Sequence, residues 1–410
     1  MRPRSAAAAT IVTSLALALT ACGGGDGGGG TGGSGGPLKI GVMASLTGPS
    51  AATFKVTPKA VSARLDQYIA DAGKCADRFK GYKLVDADDQ NTPAGALQAA
   101  QRLVQQEKVD VILQGTAAFY GAATFLTTDA AAKQIPVMGG GFDGSPVYKD
   151  PKNNIFGILP PIDVDLTYTN NGELMKQSDA SKAAVIAYDN PSSAPAGEQA
   201  ARSVEASDLK VVYKNLKIPY GSTDIGPVAQ GIIDSGADTL ITNLNPETSF
   251  AVVGALKQAG TELKLISQPI GYSADLLASG PAVQAAQGIT FAASSAPNEL
   301  NTPATQTRAA ALKTIGNDSG IAGFAEDQGY LAADMFIHGL ELAGCDASMA
   351  DVTKALRADK TWDGGGLLPK ARNFGSGEPD PQTCSYYVKL TGKAFVPVSD
   401  KPVCGDLVKK

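Results

Sequence analysis

Leu38-Lys39-Ile40-Gly41-Val42-Met43 is a short run of apolar and β-branched residues, and a helical pattern over residues 58–72 separates it from a second such run, Tyr82-Lys83-Leu84-Val85-Asp86. Strand, helix, strand in that order predicts a crossover unit, with two parallel strands in one sheet and a helix over its face. The pattern then repeats. Strand-like runs at 109–113, 135–138, 183–188, 211–216, 239–242, 263–267 and 288–292 alternate with helical patterns at 93–107, 118–133, 163–177, 196–206, 225–235, 246–259, 303–315 and 326–343. The expected fold class is therefore α/β with doubly wound parallel sheets. At 410 residues and 43% hydrophobic content, the chain has apolar surface for two lobes rather than one. Thr57-Pro58, Thr92-Pro93 and Thr302-Pro303 each place a side-chain oxygen where a helix N-cap is needed and proline in the first turn. Gly73, Gly260 and Gly344 follow helical patterns, where a left-handed cap is favoured.

Ahead of this body, Arg2 and Arg4 open an apolar stretch that closes on Leu19-Thr20-Ala21-Cys22 and resembles a bacterial lipoprotein signal. That resemblance implies a signal peptide over 1–21, cleavage before Cys22, lipidation of its sulfur and a membrane anchor on the extracytoplasmic face. Between Gly23 and Gly36 eleven of fourteen residues are glycine, so nothing there can bury apolar surface, and residues 22–37 read as an anchor and flexible tether. Its root-mean-square length is about 20 Å and its contour about 50 Å. An ordinary buried cysteine is the competing reading for Cys22, and the glycine tract beginning at the next residue opposes it.

Removing Cys22 leaves Cys75, Cys345, Cys384 and Cys404, an even set in an oxidising compartment. Three pairings are open. A strand-turn-strand reading around Thr391-Gly392-Lys393 brings Cys384 towards Cys404, which leaves Cys75 for Cys345. No pair has the spacing of a zinc knuckle, and the single histidine is His338.

The formal net charge of −5, with no basic block, argues against nucleic acid as a partner. A nucleophilic triad would have to use His338, which shares a helical face with Leu331, Met335 and Leu342 and reads as a partly buried packing residue. Gly139-Gly140-Gly141-Phe142-Asp143-Gly144 has the spacing of a dinucleotide fingerprint, but Ser145-Pro146 and Asp150-Pro151 interrupt the place where its helix must begin. A turn at a cleft mouth accounts for those glycines. Asp86, Asp88 and Asp89 lack the later glycine and acid of a calcium loop and read as solvated or capping carboxylates at a strand end. No metal and no cofactor are expected, and no enzyme activity.

Ile40-Gly41-Val42 with Leu46-Thr47-Gly48-Pro49, Asp88-Asp89-Gln90-Asn91-Thr92-Pro93, and Gly329-Tyr330-Leu331-Ala332-Ala333-Asp334 together resemble the type I periplasmic binding proteins, in particular the branched-chain amino acid binders of ABC importers. The resemblance implies two α/β lobes joined by a three-segment hinge: lobe one over 38–158 plus 291–369, lobe two over 159–290 plus 370–410. It implies a ligand cleft that uses Thr116, Ala117 and Tyr120 for a ligand carboxylate, Phe142 and Asp143 as a second wall, Phe54 as an apolar wall, and Ala196, Asn245 and Ile270 from lobe two. One departure bears on the ligand. Pro269-Ile270-Gly271 stands where the family carries Pro-Glu-Gly, whose acid holds the ligand ammonium, and Asp143 is the candidate to replace it or to exclude a carboxylate.

The function expected from this reading is a lipid-anchored, monomeric solute-binding protein that closes on an amino acid-like molecule or small carboxylate and delivers it to an ABC permease. The alternative is a ligand sensor that signals to a membrane partner.

Overall fold

The computed structural model describes residues 36–161, 165–375 and 383–408. The expected leader, Cys22 and the glycine tract up to residue 35 lie outside them. Among the described residues no helix is long and apolar enough to cross a membrane.

Five strands form the first sheet: β1 (Lys39–Ala44), β2 (Lys83–Asp88), β3 (Val111–Gly115), β4 (Val137–Gly139) and β5 (Ile155–Phe156), parallel throughout in the order β2-β1-β3-β4-β5. Side chains in β1 alternate between faces, as a strand covered on both sides requires. Ile40 and Val42 enter the core under the helices Thr57–Ala70 and Phe324–Ala343; Met43 enters the core under Pro93–Gln101 and Tyr120–Thr128.

The second sheet comprises β7 (Lys182–Tyr188), β8 (Lys210–Ile218), β9 (Thr239–Asn243), β10 (Leu265–Gln268), β11 (Thr290–Ala293), β12 (Cys384–Thr391) and β13 (Ala394–Pro397) in the order β13-β12-β11-β10-β9-β7-β8, with β14 (Val403–Cys404) beside β12. Pairing is parallel from β8 to β11 and antiparallel from β11 outward. A short ladder joins β6 (Thr167–Tyr168) to β15 (Leu407–Val408). The two-lobe α/β architecture is thus present.

Several local expectations change. The lobe boundary expected between 290 and 291 falls inside β11, whose ladders with β10 and β12 hold it wholly in the second sheet. The crossing is therefore at Ser294-Ser295-Ala296. The helix expected over 163–177 is described from Asn170 to Gln177, preceded by β6, and residues 162–164 lie outside the described set. Thr57 is not a cap: a helical turn at Ala51–Phe54 runs into the next helix, and the Thr57 hydroxyl donates to the Phe54 carbonyl at 2.8 Å. Thr92 and Thr302 do cap, accepting from Gly95 N–H and Thr305 N–H. At the first C-terminus Ala72, not Gly73, takes the left-handed conformation, and Gly344 caps with φ 107° and ψ 140°, outside the left-handed helical region.

Cys75 is bonded to Cys345 and Cys384 to Cys404, the second pair lying directly opposite one another in the β12–β14 ladder. Two buried arginines fasten the crossings between the sheets. Arg372 donates to the carbonyls of Gly157 and Leu159 at 3.4 and 3.3 Å. Arg308, 1% exposed, bonds Asp327 at 2.7 Å and the Ala296 carbonyl at 2.7 Å, while Ser294 and Ser295 also donate to Asp327.

Candidate functional site

In parallel sheets the C-terminal ends of the strands carry loops that lead into helix N-termini, and ligands gather there. Both sheets bring such ends to one cleft. Gly141 and Phe142 follow β4, Asn243 ends β9, Pro269 and Ile270 follow β10, and Ala196 lies on the helix Ser193–Glu205 after β7. Leu159, Ser294 and Ser385 form the hinge side. These groups enclose a cavity of about 260 Å³, somewhat below the usual range for small-molecule pockets.

The lobes meet across its mouth. Ser192 Oγ donates to the Phe142 carbonyl at 2.7 Å, and Ser50 Oγ lies 2.8 Å from the Tyr220 hydroxyl, which also accepts from Asn245 Nδ2 at 3.1 Å. Gly144 fits there because a Cβ would stand 2.1 Å from the Pro191 carbonyl oxygen. The conformation is closed, with the cavity between the lobes.

The two walls differ in chemistry. Lobe one contributes aromatic surface, Phe142 and Phe324, with ring centroids 4.9 Å apart in a T-shaped contact. Lobe two contributes side-chain amides and hydroxyls, including Asn170, Asn171, Gln199 and Asn243, together with apolar and aromatic groups such as Leu244, Ile270 and Tyr387. No Asp, Glu, Lys, Arg or His lines this cavity among the described residues, while Arg308 and Asp327 line a smaller pocket beside it that shares Pro269, Ile270, Ser294 and Phe324. Gln199 is 4% exposed, and its Oε1 accepts from Arg202 Nη2. That contact fixes the amide orientation and leaves Nε2 a buried donor without a partner. Asn243 Nδ2 is a second such donor.

Of the residues singled out in the sequence, Phe142, Ala196, Asn245 and Ile270 line the cavity. Phe54, Thr116, Ala117, Tyr120 and Asp143 do not. Phe54 is 4% exposed and stacks behind Phe142, centroids 6.1 Å apart. Thr116 is fully buried, and its hydroxyl accepts from Ala118 N–H at 3.0 Å, while Thr116 N–H donates to Gln114 Oε1 at 3.2 Å. The loop's polar groups are thus spent on the loop itself. Asp143 is also fully buried, and neither carboxylate oxygen has a partner in hydrogen-bond geometry. Burial pushes this carboxyl up to about 7, opposed by the nearby Tyr148 hydroxyl and the N–H groups of Asp143, Ser145 and Tyr120.

Sequence reasoning missed Gln199, Asn243 and Phe324. Gln199 had a usable signal, because it sits three residues after Ala196 on one helix and so shares its face.

The remaining motifs do structural work. Gly139 and Gly141 have φ of 124° and 101°, and a Cβ on either would stand about 2 Å from a carbonyl oxygen, 1.9 Å from Gln114 and 2.2 Å from Leu159. Only a 3₁₀ turn, Pro146–Lys149, follows, which removes the dinucleotide reading. Asp88 accepts from the N–H groups of Leu46, Thr47 and Gln90, and Asp89 from Ser45 Oγ and Asn91 N–H. His338 Nε2 is 3.0 Å from Asp359 Oδ2.

Two α/β lobes with a cavity between them at their strand ends have the architecture of a two-lobed binding protein. The chain belongs to the periplasmic binding protein family, whose sequence model matches residues 37–394. No curated protein matches the sequence significantly. Similar solved structures include an ABC transporter solute-binding protein from R. palustris in complex with benzoate (18% identity, TM-score 0.69, covering 90% of this chain and 98% of that one). A fatty acid ABC transporter substrate-binding protein from Thermomonospora curvata is 20% identical, with TM-score 0.70 and coverage of 90% and 93%. A leucine binding protein from Thermotoga maritima is 14% identical, with TM-score 0.69 and coverage of 88% and 97%. At these identities the likeness is one of fold.

Proposed function

We propose that the protein is the extracytoplasmic receptor of an ABC importer, held to the membrane by a lipid on Cys22, which binds a small molecule between its lobes and presents the closed form to a permease. The observation that carries this reading is the cavity of about 260 Å³ walled by both lobes. A solute that contacts both walls only when they are together shifts the population towards closure, so recognition by the permease reports occupancy and no reaction is needed. The family supports binding over catalysis, and similar structures that carry ABC transporter names support the importer. The lipoprotein-like segment ending at Cys22 and the glycine tract support the anchor.

Calorimetric titration with a panel of amino acids, aromatic acids, fatty acids and small carboxylates, with X-ray scattering on the same samples, tests the reading. One panel member should bind and reduce the radius of gyration. Absence of any ligand-linked compaction would count against it. Uptake of the bound solute should fall when the gene is deleted, whereas unchanged uptake with an altered transcriptional response would favour a sensor. Acyl labelling lost in Cys22→Ser tests the anchor.

A further inference from the structure

Resting on that reading, we propose that the cleft selects an apolar-bodied solute that offers an oxygen acceptor to Gln199 and carries no positive charge, so that free α-amino acids are rejected. Phe142 and Phe324 supply apolar aromatic surface from lobe one. Lobe two sets Gln199 in the lining, on the 13-residue helix Ser193–Glu205, with Oε1 held by Arg202 and Nε2 buried and unpaired. A sealed N–H donor with no partner calls for an acceptor from the solute. The Arg202 guanidinium on the far side of the amide strengthens that donor by polarising it. Asn243 Nδ2, also buried and unpaired, is a second donor on a residue of the lining.

The oxygens of a solute find unpaired N–H donors on lining residues, whereas a positive charge finds no acid there. An ammonium in this cavity would meet no carboxylate, because no acidic side chain lines it. Asp143 is fully buried and outside the lining, and Asp327 is committed to Arg308, Ser294 and Ser295. Ser192, another cleft hydroxyl, is engaged with the Phe142 carbonyl.

Two probes that differ only in the ammonium test this: 3-phenylpropanoate and phenylalanine, titrated calorimetrically into the purified protein. The expected result is binding of 3-phenylpropanoate at least about tenfold tighter than phenylalanine. Gln199→Glu keeps an oxygen facing Arg202 but replaces the donor, and should weaken 3-phenylpropanoate by about tenfold or more with the thermal midpoint retained. Phenylalanine binding as tightly as its deaminated partner, or Gln199→Glu leaving the affinity unchanged, would overturn the inference while the solute-binding reading stands. Failure of both probes in a protein that closes on another member of the wider panel would also overturn this inference alone; failure of the whole panel would remove both readings.

Discussion

Asp143→Asn should stabilise the protein at alkaline pH and do almost nothing at pH 4. The carboxyl is fully buried, and burial holds its pKa near 7 against an ordinary value of 3.8, with the Tyr148 hydroxyl and the N–H groups of Asp143, Ser145 and Tyr120 opposing the shift only in part. Between these values the folded protein holds a proton that the unfolded chain has released, so stability falls as pH rises through that window. Below about pH 4 both states are protonated and the penalty is absent; above about pH 7 it is complete. At about 1.4 kcal/mol per pH unit the full penalty is on the order of 4 kcal/mol, and about half a kcal/mol of it is present at pH 4. Asparagine has nearly the same shape and never ionises. For a body of this length, 4 kcal/mol corresponds to about 5 °C in Tm. Thermal and urea unfolding of both proteins between pH 4 and pH 8 would measure the difference, other carboxylates cancelling in the comparison. A difference that does not change with pH, or a variant less stable than the parent at pH 8, would refute the reasoning.

Asp327→Ala leaves the Arg308 guanidinium buried without its carboxylate, and urea denaturation should show a loss of about 3–5 kcal/mol; the double change Arg308→Met with Asp327→Leu should recover most of it. Tyr220→Phe removes the hydroxyl that bridges Ser50 on one lobe and Asn245 on the other. Ligand affinity should fall by about 2- to 10-fold, read by calorimetry, while Tm in the absence of ligand changes little. Breaking Cys75–Cys345 by serine substitution should cost more than breaking Cys384–Cys404, about 5 against about 3 kcal/mol, because the closed loops span 270 and 20 residues of sequence separation. Equal losses in denaturant titrations would show that chain entropy does not set the difference.

The alternation of β-branched runs and helical patterns was sufficient to read two parallel-sheet lobes, because each strand's two-faced burial is written locally, as Ile40, Val42 and Met43 show. Thr92 and Thr302 were legible as caps for the same reason: the bond closes within three residues. Thr57 was not, since a preceding helical turn that the sequence does not announce takes over its role.

The cleft was only half legible. Ala196, Asn245 and Ile270 follow from the family resemblance, but whether an aromatic faces solute or another aromatic depends on the third ring. Phe54 lies behind Phe142, and Phe324 arrives from a helix 270 residues further along the chain to complete the wall. The lack of an acid in the Pro269-Ile270-Gly271 turn is a sequence fact. That Asp143 does not replace it in the cavity wall is a tertiary one, set by the packing of Tyr120, Ser145 and Tyr148 around its carboxyl. By itself, the sequence determined the fold class and the strand ends where a ligand would gather, since both arise from short-range patterning. The tertiary structure decided which polar atoms remain unpaired in the cleft, because, beyond the Gln199–Arg202 contact within one helix, whether a group finds a partner depends on how distant segments close around it.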